Sequence, residues 1–302
     1  MTETSGAIEA PNPSDFPAAS WIHFADNLSV LRDLPDGCVD LIYVDPPFNT
    51  GRARRSRRQR NVADEAGERV GFGDRRYTAV HESVSRAFDD AFDDYLGWLE
   101  PRLAEARRVL ATHGTLYLHL DYREVHYAKV LLDGLFGRDA FLNELIWAYD
   151  FGGRSKRRWP TKHDTILVYV KDPRRYHFDS TAVDRIPYMS PGMVGPEKAA
   201  RGKLPTDTWW HTIVPTAGKE RTGYPTQKPL GILRRIVAAS SRPGDLVLDF
   251  CAGSGTTGAA AAELGRRFYL VDDNQAAMAV MADRLGQVPG VEWLGWTPDR
   301  AE

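Results

Sequence analysis

The segment DLVLDFCAGSGTTGAAAAELG, residues 245–265, decides the fold. An apolar run ends at Phe250, and Gly253, Gly255 and Gly258 follow in the pattern G-x-G-x-x-G before an alanine-rich helix. Residues without a Cβ let the backbone approach a ligand closely, and a helix N-terminus favours a negative group there. Asp272 lies 17 residues beyond Gly255, at the end of the next apolar run, RFYLVD, where a carboxylate can accept both hydroxyls of a ribose. A dinucleotide site explains this loop as well as any other nucleoside ligand does, and a tight, closely packed strand-to-helix turn is the plain structural alternative. Position in the chain separates the readings. Dinucleotide folds open with such a unit, whereas here only about 30 residues follow Asp272, so the other strands must precede it in a circularly rearranged order.

Working outward, strands are expected at 39–45 (VDLIYVD), 114–121, 141–150 and 163–171, besides 245–250 and 267–272. Helical periodicity covers 93–111, with Leu96, Leu99, Leu103, Ala106, Val109 and Leu110 on one face, then 123–136, 228–240, 256–265 and 275–285. Strands alternating with helices of this length define an α/β fold, a doubly wound and mostly parallel sheet with loop insertions. Two stretches depart from the pattern. Residues 51–90 run from arginine-rich to acidic without a clear period, and 173–227 is rich in aromatics and prolines; long irregular segments of this kind are functional loops or decorative surface insertions.

Composition bounds the function. The 302 residues suit one large domain with a modest insertion, and 42% hydrophobic with 26% charged residues is an ordinary globular balance. No apolar run reaches the roughly 18–20 residues of a membrane span. The first 20 residues carry neither a basic start nor an apolar stretch, so they read as a disordered leader rather than a signal peptide. Two cysteines, Cys38 and Cys251, supply neither a disulfide framework nor a cysteine zinc site, which implies an intracellular, cytoplasmic chain. The eight histidines show no metal-ligand spacing, and no metal is expected. The net charge of −2 hides local patches: six arginines in the nine residues 52–60 and five basic residues in the nine from Arg154 to Lys162. Local basic patches in a near-neutral chain suit a bounded anionic partner.

Asp45-Pro46-Pro47-Phe48 closes the first strong strand, at the ligand edge of an open parallel sheet. Two prolines stiffen the backbone and remove two N–H donors, leaving the Asp45 carboxylate and the Pro46 carbonyl as acceptors beside the flat face of Phe48. A planar amino group has two hydrogens for those acceptors and a ring to stack on Phe48. The exocyclic amine of a nucleobase is a poor nucleophile because its lone pair is delocalised into the ring. Two acceptors, one out of plane, favour a pyramidal nitrogen and aim the lone pair at an electrophile. A proline-rich strand end explains D-P-P alone; the glycine loop in the same chain argues for the chemical reading.

With these pieces in place the chain resembles the β-class amino DNA methyltransferases, which methylate adenine-N6 or cytosine-N4 with S-adenosylmethionine. The likeness rests on FADNLSVLRDLPDGCVDLIYVDPPFNTG (24–51), RVLATHGTLYLHLD (108–121), FGRDAFLNELIW (136–147), YPTQKPLGILRRIVAASSRPGDLVLDFCAGSGTT (224–257) and RRFYLVDDN (266–274), in the order typical of that class. The resemblance implies a Rossmann-like, seven-stranded methyltransferase sheet. It divides the chain into a leader (1–20), a catalytic half (21–172, with the insertion 51–90), a target-recognition segment (173–223) and a cofactor-binding half (224–302). It also implies that Asp45, Pro46, Pro47 and Phe48 surround a flipped-out base. Phe250, Ala252, Gly253, Ser254, Gly255, Thr256 and Thr257 would surround the cofactor's methionine portion, with Pro225, Thr226 and Lys228 leading into that pocket. Asp272 would hold the ribose and Asp26 would lie near the adenine. Phe24-Ala25 stands where relatives have a glycine before that acid, and Asp273-Asn274 leaves the ribose acid ambiguous by one residue. In this family D-P-P accompanies adenine and S-P-P cytosine, so Asp45 points to adenine, with cytosine-N4 the alternative.

The expected partner is double-stranded DNA. Arg52, Arg54, Arg55, Arg57, Arg58 and Arg60 directly follow the catalytic arm, and Arg154, Lys156, Arg157, Arg158 and Lys162 form a second basic stretch; together they read as a DNA clamp, or as solvated loops. Trp209, Trp210, His211, Lys219, Glu220 and Arg221 are candidates for sequence recognition, although the two tryptophans equally suit a cap on the core. A homodimer and a cognate restriction enzyme are further expectations of the class. Three rival readings stand beside this one. An NAD-dependent oxidoreductase explains the glycine loop but leaves D-P-P-F idle. Methylation of RNA or a protein amide uses similar turns. A silent DNA-binding module is at odds with an intact Asp45.

Overall fold

Alternate residues of each central strand are apolar on both faces, and this two-sided burial organises the chain into three layers. In the computed structural model residues 19–51, 54–63, 69–70, 76–88, 90–151, 154–215 and 218–297 are described; all but two residues of the expected leader, and Arg52 of the expected clamp, fall outside them. The elements run β1 (Ser20–Phe24), α1 (Asn27–Asp33), β2 (Val39–Val44), β3 (Arg54–Ala63), β4 (Arg69–Val70), β5 (Arg76–Phe88), α2 (Tyr95–Val109), β6 (Leu110–Leu120) and α3 (Val125–Phe136). They continue with β7 (Phe141–Ala148), β8 (His163–Val170), α4 (Pro196–Arg201), β9 (Thr208–Trp210), α5 (Leu230–Ser240), β10 (Leu246–Asp249), α6 (Thr256–Glu263), β11 (Arg267–Asp272), α7 (Gln275–Leu285) and β12 (Val291–Leu294).

The main sheet has the order β12-β1-β11-β10-β2-β6-β8-β7-β9. Every neighbouring pair is parallel except those made by β8, which runs against both β6 and β7. The expected seven strands are therefore nine. The short edge strands β9 and β12 lack the long apolar run of a central strand, because only part of each is covered by neighbours. Leu41 and Tyr43 face one core with Val247, Phe268 and Leu270, under α5, α6 and α7. Ile42 and Val44 face the other with Leu248, Leu116 and Leu118, under α1, α2 and α3. Asp40 clips the lower rim of the sheet: Oδ1 meets His113 Nε2 at 2.8 Å and Oδ2 accepts from Leu246 N at 2.7 Å, joining β2, β6 and β10.

Two local expectations are corrected. The stretch 51–90 has regular structure: β3 and β5 pair as a long antiparallel ribbon, with β4 on the other side of β5. Its three strands form a sheet of their own, separate from the main one. The helix expected to include Leu110 stops at Val109, and Leu110 opens β6 instead. No helix among the described residues is long and apolar enough to cross a membrane.

Candidate active site

Four neighbouring strands of the sheet end at the same edge, and each delivers an aspartate there. Asp26 follows β1, Asp272 ends β11, Asp249 ends β10, and Asp45 follows β2. The chain leaves β10 toward one face and edge of the sheet and β2 toward the other, so β10 and β2 flank a topological switch point, where open α/β sheets bind ligands. A cavity of about 800 Å³ opens at this place. Its wall includes Asp26, Asp45, Pro46, Pro47, Phe48, Thr226, Lys228, Phe250, Ala252, Gly253, Ser254, Thr256, Thr257 and Asp272, so residues scattered over more than 240 positions of sequence meet on one surface.

Two of the expected cofactor residues stand off that wall. Gly255 caps α6 at φ +67°, and a Cβ there would lie 2.8 Å from Met281 Cγ, so this glycine serves close packing of α6 against α7. Pro225 is likewise not part of the lining; its carbonyl accepts from the Thr226 hydroxyl at 2.6 Å. Gly253 does face the cavity, at φ +50°, with Tyr224 Cε1 only 3.1 Å from where a Cβ would sit. Its N–H donates to Asp272 Oδ2 at 2.7 Å, and Asn274 N donates to Oδ1 at 3.0 Å, so both oxygens are held in place. Burial nonetheless pushes the Asp272 carboxyl up to about 6. The Asp249 carboxyl rises further, to about 7, because burial outweighs its bonds from the Thr257 hydroxyl at 2.6 Å and from Cys251 N.

The D-P-P-F arm is anchored at both ends. After Phe48 the backbone turns through Asn49 at φ +53°, a conformation Asn tolerates better than most residues. Asn49 Nδ2 donates to Glu124 Oε1 at 2.8 Å while its Oδ1 accepts from Phe92 N at 3.0 Å. Gly51 N then donates to the carbonyl of Asp90 at 2.8 Å, which brings the two ends of the β3–β5 insertion together. Beneath the arm lies a buried network that sequence reasoning missed. Tyr43 Oη meets His119 Nδ1 at 2.8 Å, His119 Nε2 meets Asp164 Oδ2 at 3.4 Å, and Tyr149 donates to Asp164 Oδ1 at 3.0 Å. Burial opposes ionisation of Asp164, but the bond and charge of His119 and the charge of Lys228 hold its carboxyl below the ordinary carboxylate range.

Lys228 and Asp45 form an ion pair, Nζ to Oδ2, with both side chains largely buried. The same ammonium lies 4.9 Å from the centre of the Phe48 ring. Asp45 Oδ1 is buried and has no hydrogen-bond partner among the described residues. Further residues of the wall went unread in the sequence. Arg102 on α2 donates from Nε to Asn27 Oδ1 at 2.7 Å and pairs with Asp26 at 3.4 Å, while Asn27 donates to the carbonyl of Phe250 at 2.9 Å. Asp26 is also the N-cap of α1, accepting from Ser29 N at 2.9 Å. Arg102 belongs to no motif; only its position next to Leu103 and one turn from Leu99, on the buried side of the helix, is a signal.

The two basic stretches lie in different kinds of structure. Arg54, Arg55, Arg57, Arg58 and Arg60 belong to β3 of the ribbon. Arg154, Lys156, Arg157 and Arg158 are exposed in the β7–β8 connection, at the same sheet edge as the cavity, beside the almost fully exposed Trp159. Of the tryptophan pair, Trp209 caps the core under the Arg235 guanidinium and Trp210 is exposed.

Residues 39–283 match the N6/N4 family described as DNA methylase, and the chain belongs to that family. It is similar to the DNA adenine methyltransferase YhdJ of Escherichia coli K12, with 29% identity over 88% of this chain and 83% of that protein. The fold is shared with the M1.HpyAVI–SAM complex, at a TM-score of 0.56 and 20% identity over 88% of this chain and 98% of that one. It is shared as well with the cytosine-N4-specific PvuII DNA methyltransferase, at a TM-score of 0.60 and 14% identity over 94% and 89% of the two chains.

Proposed function

We propose that this DNA methylase transfers a methyl group from S-adenosylmethionine to the N6 amine of an adenine flipped out of double-stranded DNA. The observation that carries the proposal is Asp45 Oδ1: a buried carboxylate oxygen without a partner, on the wall of a large cavity at the sheet's switch point. A buried acceptor left unpaired is costly, so a donor supplied by the substrate gains more here than at an exposed carboxylate. An exocyclic amine is such a donor, and Pro46 and Phe48 supply the second acceptor and the stacking face. Adenine is favoured over cytosine by Asp45 itself and by the adenine specificity in the name of YhdJ.

The residues present fit the cofactor. Gly253 keeps the wall open where a Cβ would crowd Tyr224, and Asp272 offers a carboxylate already fixed by two backbone N–H groups. Asp272 would hold the ribose hydroxyls; Phe250, Ala252, Ser254, Thr256 and Thr257 would line the methionine portion, Thr226 its approach, and Asp26 the adenine side. Bound there, S-adenosylmethionine supplies an electrophilic methyl group. Asp45 and the Pro46 carbonyl would accept hydrogen bonds from the two amine hydrogens and turn the nitrogen lone pair toward that methyl; the N–C bond would form as the methyl–sulfur bond breaks with its electron pair left on sulfur, and the surplus proton would then pass from the nitrogen to water. The ribbon arginines and the Arg154–Arg158 loop would grip phosphates on either side of the extruded nucleotide, and 173–223 would read the target sequence. A homodimer and a cognate restriction enzyme belong to the same proposal.

The test is methyl transfer from labelled S-adenosylmethionine to unmethylated genomic DNA, with mass spectrometry of the nucleosides. N6-methyladenine that disappears with Asp45→Ala supports the full reading. N4-methylcytosine keeps the mechanism and overturns the base; no product on DNA, with cofactor still bound, overturns the substrate class.

A further inference from the structure

Lys228 lies in the segment that the family resemblance assigns to the cofactor, yet its side chain reaches elsewhere. The backbone of Lys228 belongs to the cofactor half: its carbonyl accepts from the Thr256 hydroxyl at 3.2 Å, next to the glycine loop. Gln227 beside it is fixed by Thr222 N at 2.9 Å and by the carbonyl of Glu220 at 2.7 Å, and Thr226 is held at φ +63°, a strained conformation for a β-branched residue. From this rigid base the ammonium crosses the cavity wall to Asp45, 183 residues away in sequence. We propose that Lys228 is a positioning residue for Asp45: it holds Oδ2 and so presents Oδ1, in a fixed direction, to the target amine. The proposal rests on the methyl-transfer reading given above.

Three observations carry it. First, Lys228 is the cation that contacts Asp45 among the described residues, and the contact is largely buried, with side-chain exposures of 8% and 16%. If Lys228 turned away to a ligand, Oδ2 would lose its partner and neither oxygen of a buried carboxylate would be satisfied among the described residues, at a cost that a single new contact offsets poorly. Second, the ammonium also sits over Phe48, so one residue braces both working side chains of the arm, the acceptor and the stacking face. Third, the rim is heavily acidic, with Asp26, Asp45, Asp249, Asp272 and Asp273 all on the wall, and its other cation, Arg102, is engaged with Asp26 and Asn27. A carboxylate loose among like charges samples many orientations. Holding one oxygen leaves the second directed, which is what aiming a lone pair requires.

The experiment separates two jobs in one variant of the full-length protein: binding of S-adenosylmethionine by calorimetry, and kcat for methyl transfer to DNA at saturating cofactor. For Lys228→Gln the expected result is a cofactor Kd within about threefold of wild type and a kcat lower by about 100-fold, the loss typical of a preorganised polar partner. Lys228→Arg, which keeps the charge, should recover kcat to within about tenfold of wild type. A Lys228→Gln protein that binds the cofactor at least about tenfold more weakly, yet reaches wild-type kcat at saturation, makes Lys228 a cofactor residue and overturns the proposal. Should Lys228→Gln melt below the assay temperature, Lys228→Arg decides by the same split: unchanged KM for the cofactor supports positioning, and raised KM with unchanged kcat overturns it. A wild-type protein that binds the cofactor but methylates no DNA overturns the proposed function and this inference together, a result distinct from either split.

Discussion

Asp249 and Asp272 end adjacent strands, and both are pushed upward by burial, to about 7 and about 6. The unfolded chain ionises such carboxyls near the ordinary 3.8, so across the interval between the two values the unfolded state releases protons that the folded state retains. The native state therefore resists ionisation. Their contribution to stability is most favourable below about pH 4, erodes as pH rises, and is fully lost above about pH 7. Asp249→Asn removes the larger part of this dependence. The Thr257 hydroxyl, which now donates to Oδ2, can rotate and accept from the amide instead, so the local bond is kept. Thermal melts of the cofactor-free protein should show a pH dependence between pH 4 and 7 that is clearly flatter in Asp249→Asn, with the remainder due to Asp272; an unchanged profile would show that Asp249 ionises freely.

At the scale of elements, what matters is that the arm after β2 is anchored and the insertion is not part of the main sheet. Gly51 and Asp90 are joined by a backbone hydrogen bond at 2.8 Å, so the β3–β5 ribbon leaves and returns at one point. A short glycine-serine linker in place of residues 53–88 closes that gap at small entropic cost, and the nine-stranded sheet keeps all its strands. The expected protein folds and binds cofactor. Its DNA affinity should depend less on salt, because every cation that no longer neutralises a phosphate takes roughly 0.9 from the slope of log K against log salt. Arg154, Lys156, Arg157 and Arg158 changed together to Ala should act in the same way from the β7–β8 connection. Equal slopes for wild type and both variants would show that these cations do not meet phosphate.

For the whole molecule, the cavity wall runs from Ala25 to Ala276 and draws on both halves of the chain. A ligand filling it binds only when the complete sheet is assembled, so its binding energy adds to the stability of the fold as a unit. Cofactor at about 100 times its Kd should contribute ~2.7 kcal/mol and raise Tm by roughly 5 °C in a single transition. Two separated transitions, with only the later one shifted, would mean that one part of the chain forms the cofactor site without the rest of the sheet.

The sequence by itself determined the α/β class, five of the helices, six of the nine strands of the main sheet and the D-P-P-F and glycine-loop motifs, because all of these are local. Periodicity is written within ten or twenty residues, and a strand-to-helix turn that needs Gly253 announces itself through its neighbours. It was also enough to bring Asp45, Phe250, Gly253 and Asp272 together, since the parallel-strand rule sends them to one edge. Only the tertiary structure decided the rest. The lateral order of strands sets Lys228 against Asp45, Arg102 against Asn27, and His119 between Tyr43 and Asp164. These pairs are distant in sequence, and no local pattern marks them, because each side chain was chosen for a neighbour that exists only once the sheet has closed around it. The short edge strands β9 and β12 escaped for a related reason: with less core to face, they lack the two-sided apolar run that makes a central strand legible.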